Sequence, residues 1–119
     1  MTTDEVRAVP KDKPIINTVL LEAIAHLIHE CEWPEENKSH HCAGDIQTAH
    51  IRARGMGGGR RQDTPSNLVR LCAFHHAHFD NWMGQSFDNQ AWLRINTVDK
   101  RPGYIKVMLD EAYRKGDAE

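Results

Sequence analysis

Cys72 and His75 are separated by two residues in a chain with only three cysteines, and Cys-x2-His is a metal-ligand spacing. A tetrahedral site needs two more ligands. Cys31 and Cys42 supply them upstream, with His40 or His41 as alternatives to Cys42, because ten residues separate the two cysteines instead of the usual two to four. An odd cysteine count argues against a disulfide framework. Residues 1–13 are polar and lack the apolar stretch of a signal peptide, which predicts a cytoplasmic, reducing location. The competing reading is three buried thiols acting as small apolar groups. With four protein ligands and no open position, the predicted ion is a structural zinc. A brace of this kind suits 119 residues of which 39% are hydrophobic and 7% aromatic, since so small a core stabilises a fold only modestly.

The remaining periodicities predict a single α+β domain over 13–119, preceded by a disordered tail over 1–12. Asp12 and Pro14 resemble a helix start, and Ile16, Leu20, Ile24 and Leu27 follow at helical spacing, predicting a helix over about 14–30. Ile46–Ile51 and Leu68–Leu71 read as short strands around a glycine-rich loop. A helix is expected from Cys72 to about Trp82, with Asp88 capping another. The spacing of Ile105, Met108, Leu109, Ala112 and Tyr113 predicts a last helix stopped by Gly116. Trp33, Trp82 and Trp92 are expected in the core, and His26, His29 and His78 on the surface. No apolar run approaches the length of a membrane span.

Net charge is −2, which does not suggest a nucleic-acid binder, but the average hides an asymmetry. Between His50 and Leu71 lie Arg52, Arg54, Arg60, Arg61 and Arg70 with a single acid, Asp63. A local basic patch of this kind is an electrostatic footprint for nucleic acid. Glycines in the same loop allow close backbone approach to phosphates, and its arginines can pair with phosphate oxygens.

In order along the chain stand Ala49-His50-Ile51, Gly57-Gly58-Gly59, Asn67-Leu68-Val69 and Leu71-Cys72 to His76. Over residues 31–81 this series resembles the HNH (ββα-metal) endonucleases, most of all small phage- or prophage-encoded members with Ala-His-Ile. The resemblance implies a small ββα-metal (His-Me finger) core with flanking N- and C-terminal helices. It also implies a divalent-metal-dependent DNA endonuclease in which His50 is the general base and Asn67 holds the loop and orients His50. His76 would bind the catalytic ion, with Asp80, four residues on and on the same helical face, as second ligand. Arg52, Arg54, Arg60 and Arg61 would contact DNA. The chemistry is coherent: hydrolysing a phosphodiester needs a base to activate water and a cation to stabilise developing charge, and a histidine can be a neutral base near pH 7.

One position departs from the pattern. Where the family carries a His or Asp ligand before the base, this chain has Ala49. Few protein ligands suit a hydrated Mg²⁺ or Mn²⁺ better than a tightly held ion, with Ni²⁺ or Zn²⁺ as alternatives and Asp45 or Asp63 as supplementary ligands. The same alanine suits a second reading, a zinc-stabilised DNA-binding or adaptor module with a degenerate nuclease site. A single active site would nick a duplex; cutting both strands would need two copies, as a homodimer.

Overall fold

The computed structural model describes residues 14–34, 42–52, 61–84 and 86–118. Among them are a two-stranded antiparallel sheet and four α-helices, a small mixed α+β arrangement. In chain order these are α1 (Thr18–Leu27), β1 (Ile46–His50), β2 (Leu68–Cys72), α2 (Ala73–His78), α3 (Phe87–Asn96) and α4 (Gly103–Ala118). A wider π-type turn, Phe79–Met83, continues α2.

Ile46 pairs with Cys72 and His50 with Leu68, so the strands match along their whole length. Side chains alternate across a strand. On one face Ala49, Val69 and Leu71 pack with Ile51, Phe79, Leu93 and Val98. On the other, Leu68 packs with Leu20 and Ile24 of α1 and Ile105 and Leu109 of α4. Burial on both faces explains why β2 reads Leu-Val-Arg-Leu-Cys, with no simple polar alternation. Its arginine is used internally: Arg70 donates from Nη1 to Thr48 Oγ1 at 2.8 Å and from Nε to the Ile28 carbonyl at 3.0 Å.

The segment after α1 is fastened to β2. Glu32 N–H donates to the Arg70 carbonyl at 2.7 Å, and the Glu32 carboxylate accepts Arg70 N–H at 2.9 Å. The same carboxylate takes a two-pronged bond from buried Arg101, at 2.8 and 2.9 Å, while Arg101 also reaches the carbonyls of Leu68 and Pro65. Sequence reasoning did not find this pair, because nothing local joins residues 69 positions apart.

Several expectations are corrected. The first helix is shorter than 14–30. Its cap is Asn17, whose Oδ1 accepts Leu20 N–H at 2.9 Å, while Asp12 lies outside the described residues. Residues 14–17 are drawn out because Ile15 bonds the backbone on either side of Gln62, leaving Ile16 61% exposed and outside the apolar stripe. Ser86, not Asp88, caps α3. Gly116 lies inside α4 and does not end it. Trp82 is 75% exposed, whereas Trp33 is buried. His78 is half-buried, its ring stacked on Phe74 and edge-on to Trp33. The 1–12 tail, Gly57-Gly58-Gly59, Arg54, Arg60, His40 and His41 lie outside the described residues.

Candidate metal centre and active site

Cys72 is at once the last residue of β2 and the N-cap of α2, its Sγ accepting His75 N–H at 3.4 Å. This strand-to-helix corner puts Cys72 Sγ 3.2 Å from His75 Nδ1. Cys31 arrives on the segment that Glu32 pins to β2, and its Sγ lies 3.6 Å from the same nitrogen. Cys42 is delivered by the turn at Gly44, where φ is +86° and an added Cβ would sit 2.6 Å from Ala73 Cβ. Only glycine accepts both the left-handed backbone and that approach. The turn docks through Phe74 N–H to the Ala43 carbonyl at 3.0 Å, leaving Cys42 Sγ 3.7 Å from His75 Nδ1.

All four ligand atoms lie within 4.8 Å of one another, so Cys31, Cys42, Cys72 and His75 can hold a metal ion. Metal–sulfur bonds of about 2.3 Å and metal–nitrogen bonds of about 2.0 Å at tetrahedral angles give sulfur–nitrogen edges of about 3.5 Å. The observed 3.2, 3.6 and 3.7 Å are close to that edge, and three thiols with one imidazole form a donor set consistent with a structural zinc. Cys31, Cys72 and His75 are buried, and Trp33 stacks on the His75 ring at 4.8 Å and 11°. Cys42 is the exposed edge of the site. Among the described residues it is Cys42 that completes the set. The crowded thiols do not share one proton affinity. Desolvation first, then hydrogen bonds with Cys31 and Cys72, push the Cys42 thiol up to about 12. Burial works to raise Cys72 as well, but the N–H groups of His75 and Ala43 and the neighbouring thiols outweigh it and lower Cys72.

The hairpin end carries the other candidates. Asn67 clasps the two ends of the glycine-rich loop: Oδ1 accepts Arg52 N–H at 2.8 Å, and Nδ2 donates to the carbonyls of Gln62 at 2.9 Å and Arg52 at 3.3 Å. These bonds tie Arg52 and Gln62 together on either side of residues 53–60. The His50 ring is bonded to a different residue. His50 Nε2 is 2.7 Å from Oδ1 of Asp63, a fully buried carboxylate. Arg61 grips the same carboxylate with Nε and Nη2, each at 3.0 Å, and Asn17 N–H donates to it at 2.9 Å. Burial acts to raise the pKa of Asp63, but the bonds from Arg61, His50 and Asn17 prevail and hold it below the usual carboxylate value. Arg61 is raised in turn, chiefly by its bond to Asp63. Arg52 is half-buried, with its backbone in the Asn67 clasp.

His76 and Asp80 do come together, Nε2 and Oδ2 being 3.2 Å apart across one helical turn with side chains 26% and 44% exposed. The other ring nitrogen, Nδ1, is 2.7 Å from Oε1 of Gln47 on β1. Strand alternation puts Gln47 and Ala49 on the α2 face and Thr48 and His50 on the α1 face. His50 thus ends β1 as expected, but its ring turns to Asp63, away from the His76–Asp80 side. Ala49 is 1% exposed, its methyl packed into the core. Asp45 is exposed and Asp63 is committed to His50 and Arg61.

Sequence reasoning missed Gln47 as a partner and gave Asp63 only a supplementary ligand role. Signals for both were present. Asp63 is the one acid in a run of arginines, and Gln47 is two residues before Ala49, so on the same face of the strand. No helix among the described residues is long and apolar enough to cross a membrane. No family model, curated protein or solved structure matches the chain.

Proposed function

We propose that this protein is a zinc-braced, divalent-metal-dependent DNA endonuclease of the HNH type, with His50 as general base and His76 and Asp80 as ligands of the catalytic ion. The observation that carries the reading is the His76–Asp80 pair. An imidazole nitrogen and a carboxylate oxygen 3.2 Å apart, open to solvent, stand on the helix that directly follows a hairpin with an arginine-bearing loop. Adjacent ligands around an octahedral ion at about 2.1 Å are about 3.0 Å apart, so the pair fits a hydrated Mg²⁺ or Mn²⁺. Gln47 can accept the Nδ1 proton of His76, which leaves the Nε2 lone pair for the ion. A bound ion would stabilise charge on the phosphate and the leaving oxygen.

The chain's own groups account for the rest. His50 takes a proton from water, and Asn67 keeps both ends of the loop in place. Arg52, Arg54, Arg60 and Arg61 supply positive charge for the DNA backbone, Arg61 with Nη1, since Nε and Nη2 are used on Asp63. The phosphate must span the end of β1, with His50 on one side and His76–Asp80 on the other. The Cys31–Cys42–Cys72–His75 set holds the structural zinc. A specific observation favours a second reading, a DNA-binding or adaptor module with a degenerate site: the Ala49 methyl is buried in the core where the family pattern has a ligand.

Plasmid nicking with Mg²⁺, Mn²⁺ or Ni²⁺, and with EDTA, tests the proposal. The parent cleaves and EDTA stops it. His50→Ala lowers the rate by about 10²- to 10⁴-fold at every metal concentration. His76→Ala shifts the metal titration to higher concentration, and excess metal restores part of the rate. A parent that binds DNA in a salt-dependent way but cleaves no DNA form with any metal establishes the second reading instead.

A further inference from the structure

Asp63 is the most heavily bonded carboxylate among the described residues, and the family pattern does not include it. Its Oδ1 lies 2.7 Å from His50 Nε2 and accepts Arg61 Nε at 3.0 Å. Its Oδ2 accepts Asn17 N–H at 2.9 Å and Arg61 Nη2 at 3.0 Å. Three of these contacts are from groups that can only donate: a peptide N–H and two guanidinium nitrogens. Two bonds from a guanidinium and one from a peptide N–H stabilise the ionised carboxylate, and an ionised carboxylate can only accept. The fourth contact then has one solution: neutral His50 must carry its proton on Nε2.

We propose that Asp63 is the positioning residue of His50: its buried carboxylate accepts a hydrogen bond from Nε2–H and leaves Nδ1 as the only proton acceptor of the ring. The inference rests on the nuclease reading. When Nδ1 accepts a proton from water, the ring becomes imidazolium and the resulting hydroxide attacks phosphorus; the P–O bond to the leaving sugar oxygen breaks, and that oxygen departs with a proton from solvent. The positive charge is then matched by Asp63 across the Nε2–H bond, and Asp63 itself stays unprotonated. Arg61 belongs to this unit because it anchors both carboxylate oxygens. Asn17 ties the unit to the start of α1, so the ring is held by three separate segments of the chain.

The test uses the whole, metal-loaded protein and reads the His50 ring directly by 15N NMR. In the parent the Nε2–H tautomer dominates; a parent with the proton on Nδ1 overturns the proposal without any variant. Asp63→Asn replaces one oxygen by NH₂. In the Oδ2 position the amide NH₂ would face two obligate donors, Asn17 N–H and Arg61 Nη2, and in the Oδ1 position only one, Arg61 Nε, so it turns to His50, which can switch to accepting on Nε2, at the loss of the Arg61 Nε bond. The expected outcome is a switch to the Nδ1–H tautomer, with kcat lowered on the order of 10²- to 10⁴-fold and KM little changed. Asp63→Glu, which keeps the charge, recovers the parental tautomer and part of the rate. If Asp63→Asn leaves tautomer and rate as in the parent, the assignment is wrong. If the parent cleaves no DNA, the nuclease reading falls, and the tautomer spectra still show whether Asp63 governs the His50 ring.

Discussion

Asp63 fixes three parts of the chain with a single carboxylate: the segment before α1 through Asn17, the end of the loop through Arg61, and the end of β1 through His50. The consequence for stability has a definite sign. Its pKa is lower folded than the ordinary value of 3.8, so near that pH the unfolded chain binds more protons than the folded one. The stabilisation is therefore complete above pH of about 4 and is lost as pH falls through the lowered native value. At neutral pH, Asp63→Asn should cost about 1–3 kcal/mol, because a buried donor loses its acceptor. In urea titrations the gap between parent and variant should narrow steadily below pH 4. A gap that is constant with pH would mean that the charge of Asp63 contributes nothing to the fold.

At the scale of elements, the contact between α1 and α4 depends on a glycine whose local signal points elsewhere. An added Cβ at Gly116 would lie 1.7 Å from Asn17 Oδ1, so the helix backbone there must approach the cap of α1 without a side chain. Asn17 repays the approach with a 3.0 Å bond from Nδ2 to the Tyr113 carbonyl. Gly116→Ala should gain about 1 kcal/mol of helix propensity. It should lose more, because the cap is displaced at about 0.5–2 kcal/mol and overpacking adds about 1–3 kcal/mol. The expected result in chemical denaturation is a net loss of about 0.5–4 kcal/mol. Combined with Asn17→Ala, which clears the space, the same substitution should become neutral or stabilising. Simple additivity in that double-mutant cycle would rule out the contact.

For the whole molecule, the Cys₃His set joins the segment after α1, the turn at Gly44 and the β2–α2 corner. Cys31 and Cys72 belong to the same apolar cluster as Trp33, Ala49, Leu71 and Phe79, so a bound ion and this core form one cooperative unit. Purified protein should carry about one zinc per chain. Chelation should unfold it or lower Tm sharply, since ligands brought together by metal lose that energy when it leaves. Cys72→Ala should abolish retention, because it removes both a ligand and the cap of α2. Cys42→Ala should weaken retention less, because its edge of the site is open to water. Elemental analysis and thermal melts decide the matter: chelated protein with zero zinc and an unchanged Tm would refute a structural ion.

What the sequence by itself determined is what adjacency in the chain can encode. Cys72 and His75 lie one turn apart across a strand-to-helix corner, so their spacing alone nearly sets their distance. The two strands, the helix after them and the i,i+4 pairing of His76 with Asp80 are likewise short-range consequences of alternation and helical pitch. The pairing of Cys31 with Cys42 followed from a ligand count, and the geometry brings both to Cys72 and His75. Tertiary structure alone decided the partners. Which acid meets His50, why Gly116 is a glycine, why Ile16 and Trp82 face water and why Glu32 meets Arg101 all depend on segments far apart in the chain. The physical reason is that buried hydrogen bonds and close packing are satisfied by whatever the fold brings near, while local patterns record only how each segment shapes itself.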